Sequence, residues 1–243
     1  MKSLKEMQET ALDATKPGTV NPVEMLRLEA LTSFEKYTKL MFKCQYKRSF
    51  IVAEHHKKMF EVLQDVVDGK ITRLIINIAP RYSKTEVVIK SFISWAFALN
   101  PRCRFLHLSY SDILVNDNSD TIRNIMSEEL YKTLFPNSAL ASEKGSAKRW
   151  KTKAGGELYA VSTQGQVTGF GAGNVDADPE IDKMDGGNDI FVFDDHTNEM
   201  LDMIGATTNI FQGAIVIDDP LKADDAASDL IRERINQRFE NTI

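Results

Sequence analysis

Cysteine is scarce in this chain: only Cys44 and Cys103 occur in 243 residues, far apart in sequence. They make no metal-binding spacing, and their rarity fits a reducing compartment better than a disulfide scaffold. Long apolar runs are also lacking. None approaches the roughly 20 residues that span a bilayer, so no membrane partner is expected. Met1 to Thr15 is polar and charged and has no apolar stretch of the secretory kind. Nor is there an excess of positive charge. A net charge of −5 excludes a protein that coats nucleic acid over its whole surface, but it leaves room for a local basic patch. Repeats and low-complexity tracts are absent.

What is present is an ordinary globular balance, 42% hydrophobic and 27% charged, enough to bury one large α/β domain or two small ones. Residues 1–20, with Lys16-Pro17-Gly18, read as a loose arm. From Pro22 to Met41 apolar residues recur at helical spacing, and a second helix is expected from Glu54 to Val67, closed by Asp68-Gly69-Lys70. Arg73-Leu74-Ile75-Ile76-Asn77-Ile78 then reads as a strand buried on both faces of a parallel sheet. A helix follows from about Thr85 to Leu99, stopped by Asn100-Pro101. A strand over Arg104 to Tyr110 and a helix over Ser111 to Leu134 come next. This alternation predicts a doubly wound α/β sheet. Lys148 to Gly173 is turn-rich around a short strand, Glu157 to Val161. Asn174 to Asn188 is acidic and reads as an exposed loop or insertion.

Between the first expected strand and its helix lies Ala79-Pro80-Arg81-Tyr82-Ser83-Lys84-Thr85. The standard phosphate-binding loop is G-x-x-x-x-G-K-[ST], whose amides wrap phosphates while Lys meets the outer phosphates and the hydroxyl binds Mg²⁺. Both glycines are replaced here: the last is Ser83, and the first falls at Ile78 or Ala79. The small side chains still permit close backbone approach. The alternative is a strand–helix turn with an accidental Lys-Thr pair. Such a site also needs an acid to hold Mg²⁺ and another to act on water. Ala214 to Asp219 ends an apolar run in Asp218-Asp219, and Ile190 to Asp195 ends one in Asp194-Asp195. Periodicity does not separate the two.

With these residues in view, the chain resembles the ATPase part of the large terminase subunit of tailed bacteriophages, the motor that packages DNA into procapsids. The likeness runs in order through Glu54-His55-His56, the stretch from Ile71 to Glu86 with its deviant loop, Asn100-Pro101, Ser109-Tyr110-Ser111, Arg123 and Phe135-Pro136. It continues through Thr168-Gly169-Phe170-Gly171-Ala172-Gly173 and Gly213 to Lys222, then Asp225, Ser228 and Arg232. The resemblance, which covers about Ser49 to Ile243, selects Asp218 and Asp219 over Asp194 and Asp195. It implies a P-loop NTPase fold, a mostly parallel sheet flanked by helices and truncated after the Walker B strand. It also implies an arm and helical lead-in over 1–48, an ATPase domain over 49–243 with an insertion at 174–212, and no nuclease domain.

The implied cofactors are ATP and Mg²⁺. By the motif match, Ala79, Pro80, Arg81, Tyr82, Ser83, Lys84, Thr85 and Glu86 form the nucleotide-binding loop. Lys84 meets the β- and γ-phosphates, Thr85 and Asp218 serve the metal, and Asp219 is the catalytic carboxylate. Arg81 either senses γ-phosphate charge or forms a salt bridge at the sheet end. The implied partners are double-stranded DNA, a portal protein and a small terminase subunit. The chain is expected to form a homo-oligomeric ring on the procapsid, to be a monomer in isolation, and to act in the host cytoplasm. A helicase-like ATPase and a nucleotide-binding assembly module without turnover remain alternatives. Arg102, Arg104, Arg123 and Arg149 are candidates for an arginine supplied to a neighbouring subunit. His55 and His56 either sit on the helix surface or lie near the adenine. Lys144, Lys148, Arg149, Lys151 and Lys153 surround Trp150, either as a solvated loop or as a contact for the DNA backbone.

Overall fold

The computed structural model describes residues 21–142, 146–163, 165, 170–173, 211–222 and 224–242. Asn21 starts the first helix: its side-chain oxygen accepts from the Val23 amide at 3.0 Å, and Pro22 presets the first turn. Helix α1 spans Pro22–Thr32 and α2 spans Phe34–Tyr46. The single helix expected over Pro22 to Met41 is therefore two. Ser33 leaves the helical region at φ −140°, ψ 109°, and its hydroxyl caps α2 at the Lys36 amide. Helix α3, Glu54–Val67, lies where its spacing predicts.

The helix expected from Thr85 to Leu99 is continuous but changes pitch. Thr85–Ser91 is π-helical and only Phe92–Leu99, α4, is α-helical. Helix α4 is buried along nearly its whole length and forms the centre of the core. Phe34 of α2 stacks on its Trp95 at 4.9 Å and meets Phe60 and Phe92 edge-on at 5.4 and 6.0 Å. Two of the polar side chains buried with these rings, Trp95 and Tyr37, are satisfied. Trp95 Nε1 donates to the Ala30 carbonyl at 2.9 Å, and the Tyr37 hydroxyl donates to Ser94 Oγ at 2.8 Å.

Strand β1, Arg104–Ser109, follows, and the helix expected from Ser111 to Leu134 divides into α5 (Asp112–Ser127) and α6 (Glu129–Leu134). Glu128 at ψ 138° makes the break. Strands β2 (Arg149–Lys151), β3 (Glu157–Ser162) and β4 (Ile215–Asp218) complete a four-stranded sheet of order β2-β3-β1-β4. Both β3 and β4 run parallel to β1, and β2 is antiparallel to β3. The molecule is thus α/β with a mostly parallel, mixed sheet flanked by helices. One face of the sheet, through Phe105, Trp150, Leu158 and Ala160, joins the helical core. The other buries Leu106, Leu108 and Val161 beneath Tyr159, Phe170 and Ala172. No described helix covers that second face, so the doubly wound expectation is not met among the described residues. Helix α7, Asp229–Thr242, follows β4.

One expected strand is missing. Arg73 to Ile78 forms no ladder and is mostly exposed, with Leu74 at 37% and Ile75 at 87%. A strand is held by cross-strand bonds and paired side chains, and no described strand lies beside this segment to supply them. Strand β4, at the sheet edge, leaves Ile215 and Ile217 40% and 38% exposed. No described helix is long and apolar enough to cross a membrane.

Candidate nucleotide site

Parallel pairing sets the C-terminal ends of β1 and β4 side by side, with Ser109 opposite Asp218. The next residues stay joined, because the Tyr110 amide donates to the Asp219 carbonyl at 3.0 Å. Against these strand ends lies the start of the π-helical segment. Lys84 Nζ is 2.8 Å from Asp219 Oδ1 and 3.2 Å from Asp218 Oδ1. Thr85 Oγ1 donates to Asp218 Oδ2 at 2.8 Å. Four residues from opposite ends of the described chain thus converge through tertiary structure alone.

Strain concentrates here. Only four described non-glycine residues have positive φ, and three of them are in this site: Arg81 at 69°, Ser83 at 60° and Asp219 at 47°. Such backbone costs about 1–2 kcal/mol per residue and persists where the surroundings impose it. The Ser83 carbonyl accepts from the Val87 amide at 3.0 Å, while the amides of Tyr82 and Ser83 find no acceptor among the described residues. The loop therefore leaves two N–H groups unpaired among the described residues at the start of a helical segment, an arrangement suited to an anion.

The electrostatics are self-compensated. Burial works against the charge on Lys84, but Asp219 and Asp218 outweigh it and hold the ammonium above the usual lysine range. Asp218 is 8% exposed, so its Thr85 and Lys84 partners supply the pairing a buried carboxylate needs. Thr85 Oγ1 and the Asp218 carboxylate offer two hard oxygens on one side of the loop, the donor type Mg²⁺ takes alongside phosphate oxygens and water. No group of three or more His, Cys, Asp or Glu side chains is placed to hold a metal among the described residues. A magnesium bound mainly through a nucleotide requires no such group.

Around this centre sit supporting contacts, in which Tyr46, His107 and Asn118 had no place among the expected site residues. Glu86 accepts from the Tyr46 hydroxyl and from Lys90, both at 3.1 Å, tying the loop to the end of α2. Burial, then the Glu86 carboxylate, pushes the Tyr46 phenol up to about 12. His107, fully buried in β1, bridges the Val216 carbonyl at 3.2 Å and Asn118 of α5 at 3.3 Å, locking β4 to its neighbours. Its inward position in β1 was the available signal. His56 is buried rather than on the helix surface, and His55 packs edge-on to Tyr82 at 5.3 Å. The pair therefore braces the loop from α3.

The remaining candidates separate. Arg81 is exposed and makes no salt bridge among the described residues. Arg104 and Arg149 both reach Glu157 at the N-terminal ends of β1 and β3, the pole of the sheet opposite Asp218. Trp150 is buried, with Nε1 donating to Ser119 Oγ at 2.8 Å. Asp194, Asp195, Lys144, Thr168 and Gly169, with most of the expected insertion, lie outside the described residues. Compared with protein-family models, curated proteins and solved structures, the chain finds no match.

Proposed function

We propose that this chain is a P-loop ATPase of the DNA-packaging motor type, in which ATP hydrolysis drives double-stranded DNA into procapsids. The observation that carries the ATPase part is the meeting of Lys84 and Thr85 with Asp218 and Asp219, the four residues such a site requires. The motor part rests on the terminase resemblance, which also supplies the portal protein and small terminase subunit as partners and the homo-oligomeric ring.

Lys84 exchanges its carboxylate partners for the outer phosphates as nucleotide enters, and the loop amides receive the remaining phosphate oxygens. Magnesium, when bound through Thr85 and Asp218, offsets the negative charge on the transferred phosphoryl group. Asp219, released from Lys84, orients the attacking water and accepts its proton. Water oxygen bonds to the γ-phosphorus while the bridging oxygen leaves with ADP. Arg81 has the length and exposure to reach the γ-phosphate.

The site makes a separable prediction, readable by calorimetry and phosphate release. Lys84→Ala loses Mg-ATP binding. Asp219→Asn binds ATP several-fold more tightly, because one competitor for Lys84 is removed, yet shows no turnover. The gain is small because Asp219 is 60% exposed and its ion pair is screened, worth under about 1 kcal/mol. Equal ATP affinity in wild type and Lys84→Ala sinks the assignment. A second reading, nucleotide binding without turnover, is favoured by one observation: the segment Arg73 to Ile78 ahead of the loop is outside the sheet. Tight binding with no phosphate release, even with DNA added, selects it.

A further inference from the structure

The second face of the sheet carries a charge pattern that the nucleotide site does not use. Alternation turns Trp150 and Thr152 inward and leaves Arg149 and Lys151 of β2, and Lys153 in the turn just after it, exposed. An extended chain rises about 3.4 Å per residue, so Arg149 and Lys151 stand about 7 Å apart along the strand. Arg149 is fixed in place. Its Nε donates to Glu157, and its guanidinium lies over Tyr159 at 5.5 Å and Phe170 at 5.9 Å. Arg104 lies over the other part of this corner, 5.1 Å from the Phe170 ring, and reaches Glu157 at 3.4 Å.

Glu157 is 2% exposed and engages both guanidiniums. It is the only carboxylate paired to this row among the described residues, and Lys151 and Lys153 form no ion pair there. Among the described residues the corner therefore carries more positive than negative charge, on a chain whose net charge is −5. Such a contrast localises a polyanion instead of spreading it over the surface.

We infer that Arg149 and Lys151 of β2, with Lys153 in the turn that follows, form a docking strip for the phosphate backbone of duplex DNA. A strip of pre-positioned cations with no base-reading group contacts successive phosphates without regard to sequence. It lies at the pole of the sheet opposite the nucleotide site, so DNA and ATP bind without competing. The inference rests on the motor reading for the identity of its partner, and the duplex contact itself needs no ATP. The outer side of β2 is already closed, since the Ala141 amide donates to the Lys151 carbonyl at 2.9 Å and the Lys153 amide to the Ala139 carbonyl at 2.8 Å, so these charges are not needed to keep the edges of two molecules from pairing.

The test is fluorescence anisotropy of a short labelled duplex with the full chain, from about 50 to 200 mM salt. Wild type should bind with affinity that falls steeply with salt. Lys151→Gln/Lys153→Gln, which leaves the Arg149–Glu157 pair intact, should weaken binding about tenfold or more at low salt and reduce the log–log salt slope by about 2. Adding Arg149→Gln should remove about one more unit of slope. Calorimetry with Mg-ATP on the same samples judges the ATPase reading by itself. Unchanged affinity and slope in the double variant overturn the strip, as does absence of duplex binding by wild type. Equal binding of poly-glutamate overturns the nucleic-acid partner.

Discussion

Ser83 carries the cost of a side chain in a left-handed turn, φ 60°, where the standard loop has glycine. Glycine adopts that backbone without the Cβ clash, though it is more flexible when unfolded. Ser83→Gly is therefore expected to keep Mg-ATP binding and to change stability by less than about 1 kcal/mol, in the favourable direction. Ser83→Val, with a branched Cβ, should weaken ATP binding severely while the far-ultraviolet circular dichroism stays native. If valine is tolerated, the strained turn is not what shapes the loop. The same logic applies to Asp219, whose φ of 47° is held between the Tyr110 amide and Lys84. Its turn aims the carboxylate proposed to act on water only when both sides are intact.

Among the elements, β4 is the most consequential and the least secured. It is four residues long, lies at the sheet edge and ends in Asp218. Its approach is held by Gly213, φ 124°, which passes so close to β1 that an added Cβ would lie 2.1 Å from the Arg104 carbonyl oxygen. Backbone offers no flexible atom to move aside. Gly213→Ala should destabilise the fold by about 2–3 kcal/mol, combining steric displacement with a backbone unsuited to alanine. Where the variant folds, shifting β4 should weaken the Mg²⁺ dependence of nucleotide binding more than Mg-free affinity. Thermal melts and Mg²⁺ titrations read the two effects separately. A wild-type melt would show that the strand does not depend on this approach. His107 and Asn118 supply the complementary tie from the other side.

For the whole molecule, histidine burial sets the acid response. Burial, then the neighbouring His55, holds His56 below the usual imidazole range, with the Tyr82 carbonyl opposing. Burial does the same to His107, opposed by the Val216 carbonyl and Asp218. The unfolded chain binds these protons at higher pH than the folded one. Stability from this source is therefore full above about pH 6.5 and is lost as pH falls through the depressed folded values. Urea midpoints should drop as pH falls below about 6.5, and His56→Gln should flatten that decline. A variant with the same acid limb as wild type would remove His56 from the response.

Helix α3 was legible because its apolar residues keep a helical period and its ends carry recognisable signals, and β1 and β3 because short apolar runs lie between turns. The chemistry of the loop was legible too: Lys84-Thr85 and paired acids after an apolar run are local patterns. What the chain's order of residues could not decide was pairing. Arg73 to Ile78 has every local mark of a buried strand, yet no ladder receives it, since a strand exists only with a neighbour. Ser33 and Glu128 break helices whose apolar spacing continues past them, because the chain must turn to pack α1 against α2 and α5 against α6. Most of all, Thr85 and Asp218, 133 positions apart, are brought to a 2.8 Å hydrogen bond by the parallel pairing of β1 with β4 together with the packing of the π-helical segment against β4. Sequence alone supplied the candidate side chains, with two acidic pairs that local pattern did not separate; tertiary structure decided that Lys84 and Thr85 meet Asp218 and Asp219, because that distance is set by sheet register and helix packing and not by local propensity.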